Sequence, residues 1–531
     1  MAKSTAYTGG IVYTMEREGE TVSAFVVENG RFVYCGDDET AKSLADEQVD
    51  LKGAVVMPGM IDTHQHLYAY SRNLTKVNLE KARSVRDIKE MLAARAKETK
   101  KGEWILGMGF DHEKFDEHRL PTRYELDEAC PDNPVVITRY CLHVNVANSE
   151  ALNKGGIGKG FKPHVEGTVK FDEAGEPTGE LNDEAATDIL ALVPDPLASR
   201  EARKNILEKA CHELNSHGLT GVHPVRAAHV DLPEYIDLYQ DLKDEGRLTL
   251  RVYVGLDQLP ETDIRTGLGD DMVKYGYYKL FADGNIGGRT AWLFEPFSDD
   301  PVDPENTGVP NYTLEELTPL VRAAYERNIQ VGMHVIGDRA ADMFVSALET
   351  VYRENPKPDP RFRVIHASLV NDDIIARIAK LPAVVDIQPN FLSNNLKWQD
   401  ARFGKARETY QYCWRKFLDA GIMLNAGSDS PVGFYDPFWS AYAIVNRKNL
   451  EGEPEGGWHP ENCVTPYEAL RMYTWNAAYA SFEENIKGSI KEGKLADFII
   501  IDADPFNIDP MKIKDIHVEK TYLGGACVYT R

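Results

Sequence analysis

Thr63-His64-Gln65-His66 closes a largely apolar run that starts at Gly53 and passes through Val55, Val56, Met57, Pro58, Gly59, Met60, Ile61 and Asp62. On a strand, residues i and i+2 point to the same side. Both imidazoles would therefore converge at the end of a buried strand, where imidazole nitrogen can chelate zinc or a related ion. One such pair is a weak signal, but polar residues close three further apolar runs and a lysine stands inside a fourth. His334 ends Gly332-Met333-His334-Val335, His366 ends Arg363-Val364-Ile365-His366, and Asp429 follows Ala426-Gly427-Ser428. Lys279 lies inside Tyr277-Tyr278-Lys279-Leu280-Phe281. A buried lysine has a lowered pKa, and its neutral amine can add carbon dioxide to give a carbamate, an anionic oxygen ligand able to bridge two metals. The competing reading of Lys279 is a salt bridge to Asp283 or another acid. Any one of these residues alone reads as hydrogen-bonded core. Together, in strand order, they read as a metal centre.

The elements that must position them alternate strand and helix. Candidate strands are Val55–Ile61, Leu219–Pro224, Leu250–Leu256, Tyr277–Ala282, Gln330–Val335, Phe362–His366, Ala383–Gln388 and Ile422–Gly427. Helical patterns lie between most of them. Thr313-Leu314-Glu315-Glu316 forms a capping box, and Thr465-Pro466-Tyr467-Glu468 joins an N-cap, a proline and a glutamate in the order a helix start requires. The spacing predicts an α/β protein built on a TIM-type (β/α)8 barrel, whose active site lies at the C-terminal ends of the strands. Short strands at both ends of the chain, with a Glu28-Asn29-Gly30-Arg31 turn near the first, cannot bury their apolar faces alone. They predict a small β-sandwich from residues 1–57 and 485–531, with the barrel over 58–484. Residues from about 68 to 215 are too many for one loop and helix, and read as a subdomain inserted after strand one. Trp104, Phe110, His112, Phe115 and His118 could form an aromatic lid on it.

Composition narrows the classes. The chain has 531 residues, 43% hydrophobic and 27% charged, as in ordinary globular proteins. Its net charge of −24 disfavours nucleic acid and anionic membranes as partners. Seven scattered cysteines (35, 130, 141, 211, 413, 463 and 527) without a CxxC argue against a disulfide framework and a thiolate zinc site. No signal peptide or membrane-spanning run is read, so a cytoplasmic location is expected.

These motifs resemble the amidohydrolase superfamily, and within it the amidohydrolase-3 branch of YtcJ-like proteins that includes N-substituted formamide deformylase. The resemblance rests on Pro58 through His66, on Lys279 through Asp283-Gly284 to Gly288-Arg289-Thr290-Ala291, on His334 through Ala340, on His366, on Gly427 through Pro431, and on Gly488 through Phe498. It covers nearly the whole chain. It implies a divalent metal, usually Zn2+, as one or two ions. By position, His64, His66 and Asp429 would hold the more buried ion, and His334 and His366 the second, with Lys279 bridging if carboxylated. Relatives often carry a glutamate in the stretch matching Pro177 to Glu184; here the best match is Asp183, one methylene shorter. Whether Asp183, Glu180 or neither reaches the site stays open. A homodimer is expected by analogy alone.

The implied activity is hydrolysis of a C–N bond in a small amide-type substrate, such as an N-substituted formamide or N-acyl compound, by metal-activated hydroxide. Asp429 would take the proton of the water and pass it to the leaving amine. A deaminase or cyclic-amide hydrolase using the same centre is the alternative, and a non-catalytic scaffold or regulator a remoter one. Substrate contacts are sought at Arg289, which could bind a carboxylate or form a structural ion pair, and at Tyr68, His223 and Asp183. Asp338 could orient His334 or open the next helix.

Overall fold

The computed structural model describes residues 3–140, 143–163, 167–226, 231–396 and 398–531. Eight parallel strands form one sheet in sequence order: Met60–Gln65, Leu219–Pro224, Arg251–Leu256, Val273–Phe281, Gln330–Val335, Phe362–His366, Ala383–Ile387 and Met423–Ala426. The first three are buried at every position. Such continuously apolar strands are what a sheet covered on both faces requires. At their C-terminal ends the last and first strands meet: the amide of Asp429 donates to the His64 carbonyl at 2.7 Å, and that of His66 to the Ser430 carbonyl at 2.8 Å. The sheet is thus a nearly closed TIM-type barrel. Helices between the strands include Leu232–Asp244, Leu314–Glu326, Asp338–Glu354 and Asp372–Ile378. Both capping boxes are present, at Thr313 with Glu316 and at Thr465 with Glu468.

The boundary of strand one differs from the sequence expectation. Val55–Ile61 is not one element. Val55–Pro58 pairs antiparallel with Phe498–Ile501 in a different sheet, and the barrel strand starts at Met60. The break is at Pro58-Gly59, where the Gly59 amide donates to the Asp497 carbonyl. A Cβ on Gly59 would come within 2.3 Å of the Thr220 side chain, so the chain crosses between sheets where only glycine fits.

The two termini build the β-sandwich. One sheet holds Thr5–Thr8, Ala24–Glu28, Arg31–Gly36 and Glu47–Asp50; the other joins Ile11–Tyr13, Thr21–Val22 and Val55–Pro58 to the C-terminal strands Phe498–Ile501, Val518–Leu523 and Ala526–Thr530. Their shared core packs Tyr7 and Phe25 against Phe498 and Tyr522. Asn29 and Gly30, both at positive φ, make the tight turn between Ala24–Glu28 and Arg31–Gly36.

The chain divides into two compact units, residues 1–68 with 208–531 and residues 69–207. The inserted unit carries a six-stranded sheet and the helix Val85–Glu98, capped by Ser84. Phe110 and Phe115 are buried in its own core with Leu92 and Ile137, and Trp104 packs on a second cluster of the same unit. Of the residues expected as an aromatic lid, Phe110, Phe115 and Trp104 thus belong to the packing of this unit, while His112 is half-buried and His118 exposed; a subdomain of this size needs a core of its own, and those rings supply part of it. The six described cysteines form no disulfide, and Cys141 lies outside the described residues. No helix among the described residues is long and apolar enough to cross a membrane.

Candidate metal centre

His64 ends barrel strand one and His66 follows it by one residue; His334 and His366 lie at the ends of strands five and six, and Asp429 three residues beyond strand eight. Asp429 Oδ1 lies 3.3 Å from His64 Nε2 and 3.1 Å from His66 Nε2. His64, His366 and Asp429 each offer a ligand atom, and all three atoms lie within 4.8 Å of one another. The His366 ring also stands 4.4 Å from that of His334. The structure thus brings His366 to His64 and Asp429, rather than separating it with His334. His366 and Asp429 are non-glycine residues at φ 78° and 56°, left-handed backbone that the surrounding hydrogen bonds must hold in place.

The nitrogens facing away from this group are engaged. Nδ1 of His366 meets Gln388 Oε1 at 2.5 Å, Nδ1 of His64 meets the Tyr277 hydroxyl at 3.2 Å, and Nε2 of His334 meets the Gly284 carbonyl at 2.8 Å. The two oxygens that only accept, of Gln388 and Gly284, place the proton on the His366 and His334 nitrogens they meet and leave the other nitrogen as a lone pair, whereas the Tyr277 hydroxyl can take either role toward His64. His366 Nε2, Asp429 Oδ1 and Lys279 Nζ are buried with no hydrogen-bond partner. Buried polar atoms rarely stay unpaired. Imidazoles, a carboxylate and an amine left bare on one side are a donor set that fits a divalent metal.

Electrostatics agree with this geometry. Burial, with Lys279 nearby, pushes the His64 imidazole down to about 4, and the same two causes take His334 to about 3. Both are therefore neutral near pH 7. Burial opposes the charge of Asp429, but His64 and His66 beside it outweigh that and hold the carboxyl well below its ordinary value. Burial lowers the Lys279 ammonium to about 7. Lys279 makes no salt bridge to Asp283 among the described residues; its Nζ sits 4.5 Å from the centre of the Phe281 ring. Asp283 instead accepts from the amides of Ile336, Gly337 and Trp292, joining the loops after strands four and five.

The expected substrate contacts are placed as follows. Arg289 is paired with Asp299, at 3.1 Å from Nε, so its guanidinium is engaged within its own loop. His223 is wholly buried, with Nδ1 3.3 Å from the guanidinium of Arg363. Tyr68 is buried and packs edge-on to Tyr235. Asp183 pairs with His143 at 3.1 Å inside the inserted unit, and Glu180 with Lys170. Asp338 opens helix Asp338–Glu354 and accepts from the amide of Phe294, tying down the loop after strand four. Tyr277, Gln388 and Asp62 were not singled out in the sequence. Tyr277 stands two residues before Lys279 on its strand, Gln388 closes strand seven as His366 closes strand six, and Asp62 stands two residues before His64. The period-two and strand-end patterns that mark the candidate ligands mark these three as well.

This fold and this centre match what comparison with known proteins shows. A profile described as the amidohydrolase family matches residues 47–529, and the chain belongs to that family. It is 32% identical over 530 residues to YtcJ of Bacillus subtilis, a protein assigned as an amidohydrolase, covering 98% of this chain and 99% of the relative. It is 27% identical over 541 residues to N-substituted formamide deformylase of Arthrobacter pascens, covering 98% and 97%. An uncharacterized metal-dependent hydrolase from Pyrococcus horikoshii superposes with a TM-score of 0.73 at 28% identity, over 96% of this chain and 99% of that one. The protein is a metal-dependent amidohydrolase, an enzyme that hydrolyses C–N bonds.

Proposed function

We propose that the protein hydrolyses the C–N bond of a small amide-type molecule, an N-substituted formamide or another N-acyl amine, in a centre that uses Zn2+. The observation carrying this reading is the convergence of His64, His366 and Asp429 beside the unpartnered Lys279 amine. The full-length similarity to a formamide deformylase supports the substrate class. His64, His66, His366 and Asp429 would hold one ion. His334 and Lys279, the latter as its carbamate, would complete a site for a second. A bound ion supplies Lewis acidity toward a carbonyl and makes water acidic enough to ionise near neutral pH. Asp429, ionised and beside His64 and His66, accepts the proton of the attacking water and returns it to the leaving amine. Tyr277 and Gln388 keep His64 and His366 turned toward the reacting centre.

The test is product analysis on chelator-stripped enzyme before and after reloading with Zn2+. Substrates are N-substituted formamides, longer N-acyl amines, lactams and aminated rings. The reading predicts release of a substituted amine, from the reloaded enzyme only. Ammonia from aminated rings, or ring opening alone, would replace it with the deaminase or cyclic-amide reading.

A further inference from the structure

An arginine and an aspartate meet inside the barrel. Arg363 on strand six and Asp386 on strand seven are wholly buried and joined by a forked contact, Nε to Oδ2 at 2.9 Å and Nη2 to Oδ1 at 2.8 Å. Barrel interiors are usually filled by branched apolar side chains. Stability alone does not account for such a pair, because well-packed apolar residues of similar volume serve as well or better. The chain also makes room for it. Gly332 on strand five pairs beside Arg363, and a Cβ there would come within 2.7 Å of the Tyr277 ring and 3.2 Å of the Arg363 Cβ.

The guanidinium bears on the supports of His64. Its Nη2 donates to the carbonyl of Thr63 at 2.6 Å, the peptide that leads into His64. Its plane lies 4.0 Å over the ring of Tyr277, whose hydroxyl meets His64 Nδ1 at 3.2 Å. Nη1 lies 3.3 Å from Nδ1 of His223 on strand two, so all three nitrogens are engaged. A planar, delocalised fork can grip a carboxylate and stack on an aromatic face at once; a lysine ammonium cannot.

We propose that Arg363, held by Asp386, is a positioning residue: through Thr63 and Tyr277 it sets the direction of the His64 imidazole, and so the affinity of the centre for its ion. The inference rests on the reading of His64 as a metal ligand.

The test compares wild type, the double variant Arg363→Met with Asp386→Leu, Arg363→Lys and His64→Ala, all as full-length, chelator-stripped protein. The double variant replaces the pair by apolar chains and strands no buried charge. Arg363→Lys keeps the charge and loses the fork, and decides the matter by the same readings if the double variant does not fold. Each protein is read by its melting curve, by Zn2+ affinity in chelator competition and, before metal is added, by its imidazole nitrogen resonances, with those of His64 assigned by their loss in His64→Ala. The proposal predicts that folded Arg363 variants bind Zn2+ about 10–100-fold more weakly, the range for outer partners of ligating histidines, and that their His64 resonances move. Altered melting with wild-type Zn2+ affinity would overturn it, and so would weaker binding with unmoved His64 resonances. Wild-type affinity in His64→Ala would remove the metal reading and this inference with it; a loss in His64→Ala beside wild-type affinity in both Arg363 variants would remove this inference alone.

Discussion

The backbone amide of Asp429 donates to the carbonyl of His64 across 2.7 Å. The barrel seam and the metal centre are therefore one construction. The His66 amide repeats the link to Ser430, and the buried Asp62 carboxylate accepts from the amides of both His64 and Ser428. Burial pushes the Asp62 carboxyl up to about 7. The carboxylate and the two imidazoles are thus set by backbone closure rather than by side-chain rotamers alone.

Gly427 makes that closure possible. A Cβ there would stand 2.5 Å from the His64 amide nitrogen, a backbone atom that cannot move aside. Gly427→Ala is expected to cost at least about 1–3 kcal/mol of stability, the usual range for overpacking, and to lower metal affinity with it. Denaturant unfolding and a metal titration of the variant check this. Wild-type values in both would show that the seam has slack.

Asp429→Asn removes the proposed proton acceptor and keeps the shape. Turnover should fall about 10²–10⁴-fold, the range for a positioned acid–base group, with much of the metal retained. The checks are kcat and metal content of the purified variant. Near-normal kcat would remove Asp429 from proton transfer.

Tyr277 touches His64 through its hydroxyl and carries the Arg363 guanidinium 4.0 Å over its ring. Tyr277→Phe keeps the ring and loses the bond to Nδ1. Metal affinity is expected to drop about 10–100-fold, as for other outer partners of ligating histidines, while stability changes by no more than about 1.5 kcal/mol. A chelator-competition titration beside a melting curve separates the two effects. A loss of stability with unchanged metal affinity would make Tyr277 a packing residue only.

Away from the centre, Glu483 is buried between Lys274 at 2.8 Å and Lys487 at 2.5 Å. Burial opposes its charge, but the two lysines outweigh that and bring its carboxyl from 4.5 down to about 2. A depressed carboxylate stabilises the fold fully above its unfolded value and loses that contribution as pH falls through the folded one. Wild type should therefore lose this stability from about pH 4.5 downward. Glu483→Gln should be less stable at neutral pH by about 3–5 kcal/mol, the cost of breaking a buried pair, with a shallower acid slope. Melting temperatures of both proteins across that range decide the matter; parallel slopes would contradict the assignment.

Much of this architecture is legible in the residues. Apolar strands that end in His64, His334, His366 and Asp429 announce both the barrel and its chemistry, because a buried strand gives a polar residue few other reasons to stand at its tip. Tyr277 was hidden because tyrosine on an apolar strand reads as packing, and only the fold brings its hydroxyl to His64. The break at Pro58-Gly59 stands inside one continuous apolar run, and hydrophobicity cannot tell a sandwich strand from a barrel strand. Phe110 and Phe115 suggested a lid because aromatic residues suit pockets and cores alike.

The central claim is that His64, His66, His366 and Asp429 surround a catalytic metal. Anomalous diffraction at the zinc edge, from crystals of active, metal-replete enzyme, tests it most directly. The account predicts a peak within bonding distance, about 2.0–2.2 Å, of His64 Nε2, His66 Nε2, His366 Nε2 and an oxygen of Asp429. Active crystals with no peak there, or with all anomalous signal elsewhere, would contradict it.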